Sequence, residues 1–153
     1  MRDNQKSKVY AAEQSMRDDS PYLFRSMDKM QAFVDKVTAS DFWRARTDKQ
    51  YVEVVLGRRD SGKARAYIDG GKWHSQVKKH PFITLPPNWA NNRMVVIHEL
   101  AHILGDHYDH GEGFCADYIE LVRRFESNTK ARKLTEAFAE AGVKVGEITE
   151  GVA

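Results

Sequence analysis

The spacing of hydrophobic and polar residues predicts several amphipathic helices. Residues 26–40, SMDKMQAFVDKVTAS, place apolar side chains at three- and four-residue steps, as one face of a helix requires. The same period returns in residues 114–125, FCADYIELVRRF, and in residues 128–142, NTKARKLTEAFAEAG. Nearer the start, residues 8–13, KVYAAE, suit a short strand. The ends of the chain are therefore expected to be mainly helical.

The middle third has a different pattern, typical of short strands. Three segments carry it: residues 51–59, YVEVVLGRR, residues 64–69, ARAYID, and residues 77–86, VKKHPFITLP. The connections contain DSG and DGG, whose residues tolerate tight turns. This part of the chain is predicted to form an antiparallel meander, so the expected fold class is α+β.

A further helix is predicted at residues 93–104, RMVVIHELAHIL. Asn91 or Asn92 can cap its start, and Gly105 is a natural left-handed terminator at its end. Its residues are apolar on nearly every side, which is typical of a helix buried in the core. Two histidines and a glutamate in this helix therefore demand an explanation, because buried polar groups are costly unless they share a partner.

Composition adds few constraints. A chain of 153 residues is the size of one domain, so residues 1–153 are expected to form a single unit. The net charge of +2 gives no global field toward nucleic acid or an anionic membrane. The single cysteine, Cys115, cannot form an internal disulfide, and no apolar run approaches the roughly 20 residues that span a bilayer. A cytoplasmic protein without a membrane partner is expected.

The sequence HELAH in the buried helix indicates a metal site. His98 and His102 are one helical turn apart, so both imidazoles can bind one ion at about 2.1 Å. Glu99 lies about 100° further round the helix, where it can serve as general base toward a metal-bound water. Zinc suits such ligands, and with three protein ligands it keeps a position open for that water. The competing interpretation is a chance match with two core histidines.

The third ligand is less constrained by sequence. Metzincin-type enzymes continue with a histidine at position 108, where this chain has Tyr108, so the simple metzincin pattern is excluded. The candidates that remain are His107, His110, Glu112, Asp117 and Glu120. His110 is favoured because the loop after Gly105 is long enough to return it toward the metal. Glu112 competes with it, but it is expected in the first turn of the next helix, where the helix dipole stabilises a carboxylate.

HELAH followed by HGEGF resembles the paired motifs of SprT-like and WLM-type zinc metallopeptidases, over residues 98–125. A wider resemblance is to a metallohydrolase family of actinobacteria and their phages, which has counterparts of KVYAAE, of LPPNWANNRMVVIHELAH and of the late AFAEAGV. The resemblance implies a zincin-like fold, zinc ligands at His98, His102 and His110, and a base at Glu99. It implies no particular substrate. It also implies that residues 82–86, FITLP, form the edge strand that pairs with an extended substrate.

These features favour a zinc metallohydrolase that cleaves a peptide bond in a polypeptide substrate. A second hypothesis is a binding or regulatory module in which zinc only stabilises a zincin fold. A non-peptide amide substrate would use the same chemistry. The oligomeric state is left open by the sequence.

Several other residues have both a functional and a structural interpretation. Basic residues between Gly57 and His80 could follow nucleic-acid phosphates, but solvation of exposed strands explains them equally and is favoured. Trp73, with its neighbour His74, could stack on a base, although packing is the commoner role. Cys115 is interpreted as a packing residue. His107 and Tyr108 could stabilise an oxyanion, and exposed loop positions are the favoured alternative.

Overall fold

The computed structural model describes residues 3–16 and 23–147, and within these it is a mixed α+β fold. Contacts divide the chain into two compact units. The described residues 23–106 form the central unit, and residues 3–16 together with 107–147 form the terminal unit. The single-domain interpretation of residues 1–153 stays a prediction. The described elements are α1 Lys6–Ser15, α2 Met27–Thr38, α3 Asp41–Arg46, β1 Glu53–Leu56, β2 Arg65–Tyr67, β3 Gly71–Trp73, β4 Gln76–Lys78, β5 Phe82–Leu85, α4 Arg93–Leu104, α5 Glu112–Phe125 and α6 Asn128–Ala141.

The strand predicted at residues 8–13 is wrong, because this segment lies within helix α1. Val9 and Ala12, three residues apart, are both buried, which is the spacing of one helix face. The following Ala, Glu and Gln residues are good helix formers, so their propensity and the three-residue spacing agree. α1 packs against α6 in the terminal unit.

Helices α5 and α6 complete the terminal unit and confirm the two late helical periods. Phe114 and Tyr118 of α5 and Phe138 of α6 are buried in its core. The hydroxyl of Tyr118 donates a hydrogen bond to Glu13 of α1 at 2.7 Å. Gly142 adopts a left-handed conformation, with φ of 75°, and caps α6.

The central unit contains a three-stranded sheet in the order β1-β5-β2. β1 pairs with β5 in parallel, with Glu53 opposite Phe82, and β2 pairs with β5 antiparallel, with Tyr67 opposite Phe82. The predicted antiparallel meander and the edge position of FITLP are therefore both wrong. All four residues of β5 are buried, and a strand covered on both faces belongs in the middle of a sheet.

A separate hairpin, β3 and β4, lies in sequence between β2 and β5. The strand predicted over residues 77–86 is thus divided in two, because Pro81 lacks the N–H that a continuous ladder needs. Trp73 of this hairpin packs edge-on against Tyr67 and Phe82, with ring centroids 6.2 and 6.5 Å away. These contacts support the packing role of Trp73.

The predicted helix at residues 93–104 is confirmed as α4, which packs against β2 and β5. The side chain of Asn92 caps it by accepting a hydrogen bond from the backbone N–H of Val95 at 3.0 Å. The prediction of Gly105 as a left-handed terminator is wrong, because Gly105 has φ of −113° and the left-handed residue is Asp106, with φ of 54°. Aspartate tolerates this conformation, and its carboxylate pairs with Lys49.

Among residues 3–16 and 23–147, no helix combines the length and the apolar character needed to cross a membrane.

Candidate metal centre

Helix α4 brings two histidines side by side. The ring centroids of His98 and His102 are 5.2 Å apart, and both side chains are buried, with 4% and 9% of their surface exposed. One helical turn separates them, so the backbone alone fixes their common direction. Every residue from Val96 to Leu104 is buried, which confirms that the helix is surrounded on all sides.

The third histidine comes from the segment between α4 and α5. His110 is buried, with 5% of its surface exposed, and it forms a group of possible metal ligands with His98 and His102. Each of the three offers one ligand atom, and these atoms all lie within 4.8 Å of one another. The three buried histidines could hold a metal ion.

Glu99 is also buried, with 6% of its surface exposed. Its Oε2 lies 3.9 Å from Nε2 of His98, so the carboxylate is beside the histidines but is not a member of the three-residue group. This position, one residue further round the helix, suits a group that acts on a molecule at the site. Its role as base stays a prediction.

His110 is held by a carboxylate that sequence reasoning missed. Oδ2 of Asp3 lies 2.7 Å from Nδ1 of the His110 ring, and Oδ1 accepts the backbone N–H of His110 at 3.1 Å. Burial by itself would raise the pKa of Asp3, but the hydrogen bonds from the ring and the backbone of His110 outweigh it and hold that pKa below its ordinary value. No sequence signal links positions 107 residues apart.

His107, a candidate ligand and oxyanion stabiliser, is paired elsewhere. Its Nε2 lies 2.7 Å from Oδ2 of Asp117, whose side chain is buried in α5. The ring meets Phe114 edge-on, with centroids 6.3 Å apart. His107 is half-buried, so its interpretation as an exposed loop residue is wrong. Tyr108, in contrast, is 74% exposed, as that interpretation predicted.

The two glutamate candidates also lie outside the group. Glu112 is exposed at the start of α5, the position expected for a carboxylate stabilised by the helix dipole. Glu120 is buried, and its Oε1 accepts hydrogen bonds from Arg123 at 2.5 Å and Arg124 at 3.1 Å. Of the candidates for the third ligand, the structure therefore brings only His110 to the α4 histidines within the described residues.

Cys115 is a packing residue, as predicted. Its side chain is fully buried, and burial raises the pKa of its thiol to about 12. The thiol is 3.7 Å from the backbone oxygen of His110, to which it donates a weak hydrogen bond. A thiol that stays protonated does not compete with the imidazoles for a metal.

The basic residues of the strand region are mostly exposed. Arg58, Arg59 and Lys63 are exposed, whereas Lys78 is half-buried and pairs with Glu53 at 2.9 Å. Burial would raise the pKa of Glu53, but hydrogen bonds from His80 and Lys78 outweigh it, so that pKa is lowered. Lys78 therefore has a structural role, and nucleic-acid contact by the exposed residues stays a prediction.

Comparison with protein-family models, with curated proteins and with solved structures finds no significant match. The resemblance to SprT-like and WLM-type metallopeptidases and to the actinobacterial family therefore stays a prediction.

Proposed function

We propose that this protein is a zinc-dependent metallohydrolase with a zincin-like fold, and that it cleaves peptide bonds in a polypeptide substrate. The observation that carries the proposal is the group of three buried histidines, with ligand atoms within 4.8 Å of one another, next to the buried carboxylate of Glu99. A site that only stabilises a fold is usually closed by four protein ligands. Three histidines with a carboxylate beside them match a catalytic site better.

The donor set fits zinc. Three imidazole nitrogens are a common ligand set for catalytic zinc, and a neutral set leaves the ion its positive charge. His98, His102 and His110 would hold it. Zinc bound there would supply a Lewis acid, which polarises a substrate carbonyl and makes water a stronger acid.

Glu99 supplies the proton transfer in this proposal. Its carboxylate accepts the proton of the attacking water as the oxygen bonds to the carbonyl carbon of the substrate. The same proton then passes to the leaving nitrogen as the C–N bond breaks, which restores the carboxylate. Burial of Glu99 beside His98 supports this role, because it keeps the carboxylate at the site and away from bulk solvent.

An edge strand packed against the helix supports an extended peptide as substrate. β2 is an edge strand of the central sheet, and α4 packs against it. An edge strand can pair through its backbone with an extended chain of any sequence. β2 replaces β5 in this role, because β5 is enclosed between two strands.

The test compares zinc content and peptide hydrolysis in the wild type, Glu99→Gln and Glu112→Gln. Glu99→Gln should keep about one zinc per chain and lose hydrolysis of an unfolded protein substrate by a factor of about 10² or more. Glu112→Gln is the matched control, because it removes an exposed carboxylate outside the group and should retain both properties.

Two results would contradict this assignment. Loss of zinc in Glu99→Gln would make Glu99 a ligand. A zinc-loaded wild type that cleaves no peptide or amide would instead support the binding or regulatory module.

A further inference from the structure

The carboxylate of Asp3 makes two hydrogen bonds to one residue of the histidine group. Oδ2 meets Nδ1 of the His110 ring at 2.7 Å, and Oδ1 accepts the backbone N–H of the same residue at 3.1 Å. A carboxylate that engages both the ring and the backbone fixes the ring's rotation relative to the chain. This contact lies wholly within the terminal unit.

Engagement of Nδ1 determines which ring nitrogen can bind a metal. An imidazole that donates its Nδ1–H to a carboxylate carries its lone pair on Nε2. The carboxylate also increases the basicity of that nitrogen, and such partners commonly orient histidine ligands in metal sites. The contact with Asp3 therefore leaves Nε2 as the ligand atom of His110.

Neighbouring groups hold the same segment in place. Gln5 donates a hydrogen bond from Nε2 to the backbone oxygen of His110 at 3.0 Å. The rings of Tyr10 and Phe114 lie 5.3 and 4.9 Å from the imidazole, between centroids. Packing thus limits where the ring can move, while Asp3 selects its orientation and its tautomer.

We propose that Asp3 is a positioning residue that prepares His110 to bind the metal through Nε2. This inference rests on the metal site of the proposed function, but not on the reaction catalysed there. A purely structural role for the pair is the competing explanation. The two explanations predict different zinc affinities for a folded variant at Asp3. A positioning role predicts a large loss of affinity, and a purely structural role predicts little change.

The main experiment measures the zinc dissociation constant by competition with a chelator for the wild type, Asp3→Asn and Asp109→Asn. Asparagine has one oxygen in place of the two that Asp3 uses, so it cannot reproduce both hydrogen bonds in the same geometry, and its amide supplies no charge. Zinc binding by Asp3→Asn should be weaker by a factor of about 10 to 100.

Asp109→Asn is the matched control. It removes the same charge from the residue next to His110 in the sequence, and the carboxylate of Asp109 accepts a backbone hydrogen bond from Gly111 at 3.1 Å. Its zinc affinity should stay within about threefold of the wild type. Equal losses of zinc affinity in the two variants would mean that Asp3 acts only through its negative charge, and this result would overturn the proposal.

A second measurement needs no variant, so it applies even if Asp3→Asn folds poorly. Nitrogen-15 NMR of the zinc-loaded wild type should show His110 protonated at Nδ1 and bound through Nε2. Zinc on Nδ1, or unchanged zinc affinity in a folded Asp3→Asn, would overturn the positioning role while leaving the metal site intact. A wild type that binds no zinc would remove both this inference and the proposed function.

Discussion

Replacing His110 by alanine tests the third ligand most directly. The ring is buried, belongs to the histidine group and accounts for one of its three ligand atoms. Losing one partner around a buried charge costs about 3 kcal/mol, which corresponds to a zinc dissociation constant raised by a factor of roughly 10². The same substitution removes the ring from between Tyr10 and Phe114. Metal-free stability should therefore fall by about 2–4 kcal/mol as well.

Two control variants separate these effects. His107→Ala also removes an imidazole paired with a carboxylate, but one outside the group, so it should lower stability and leave zinc affinity within a few-fold. Glu112→Ala removes an exposed carboxylate from the first turn of α5, worth about 0.3–1 kcal/mol of stability, and should not change zinc affinity. Urea unfolding of the metal-free variants measures stability, and chelator competition measures affinity. A large loss of zinc affinity in Glu112→Ala, with none in His110→Ala, would refute the assignment.

Three further predictions concern the fold. Removing zinc should lower the melting temperature but leave one cooperative transition, because the apolar core does not depend on the metal; a random-coil circular dichroism spectrum after chelation would contradict this. Glu53→Gln should destabilise the protein at neutral pH and have no effect near pH 2 in urea unfolding. The pKa of Glu53 is lower in the folded state than its unfolded value of about 4.3. The carboxylate therefore stabilises the fold at pH values above about 4.3, and this contribution is lost as the pH falls through the folded-state pKa. Gly70→Ala should cost at least about 1–3 kcal/mol in the same assay, since φ is 81° and a Cβ would clash with the backbone oxygen of Lys78.

The helices show what the sequence could predict. α2, α5 and α6 have clear apolar periods over 12 or 14 residues, whereas α4 is apolar on nearly every side, and each forms where the pattern indicated. In α1 the apolar positions are few, and the strand propensity of Val9 and Tyr10 opposes the helix propensity of the residues that follow. A segment this short is compatible with both the helix and the strand period, so its packing against α6 decides which structure forms.

The order of the strands in the sheet could not be predicted from the local sequence pattern. The burial of β5 on both faces indicates a central strand, but which strands flank it depends on how the chain folds around the β3–β4 hairpin. The sequential order of strands favoured a meander, and the parallel pairing of β1 with β5 overrides that expectation.

In the candidate site too, some features follow from the local sequence and others depend on tertiary packing. His98, Glu99 and His102 lie within one helical turn, so their proximity follows from the helix itself. His110 is only eight residues further along and could be assigned from loop length. The carboxylates that pair with His110 and His107 could not be predicted. Asp3 contacts His110 and Asp117 contacts His107 through tertiary packing, which leaves no periodic pattern in the sequence.

The buried thiol of Cys115 makes the chain convenient for labelling. It is the single cysteine of the sequence, it is fully buried, and its pKa of about 12 leaves almost no thiolate at neutral pH. A cysteine introduced at an exposed position, such as Ser75 between β3 and β4, would react with a maleimide far faster. One fluorophore could then be attached at a chosen site without first removing the native cysteine.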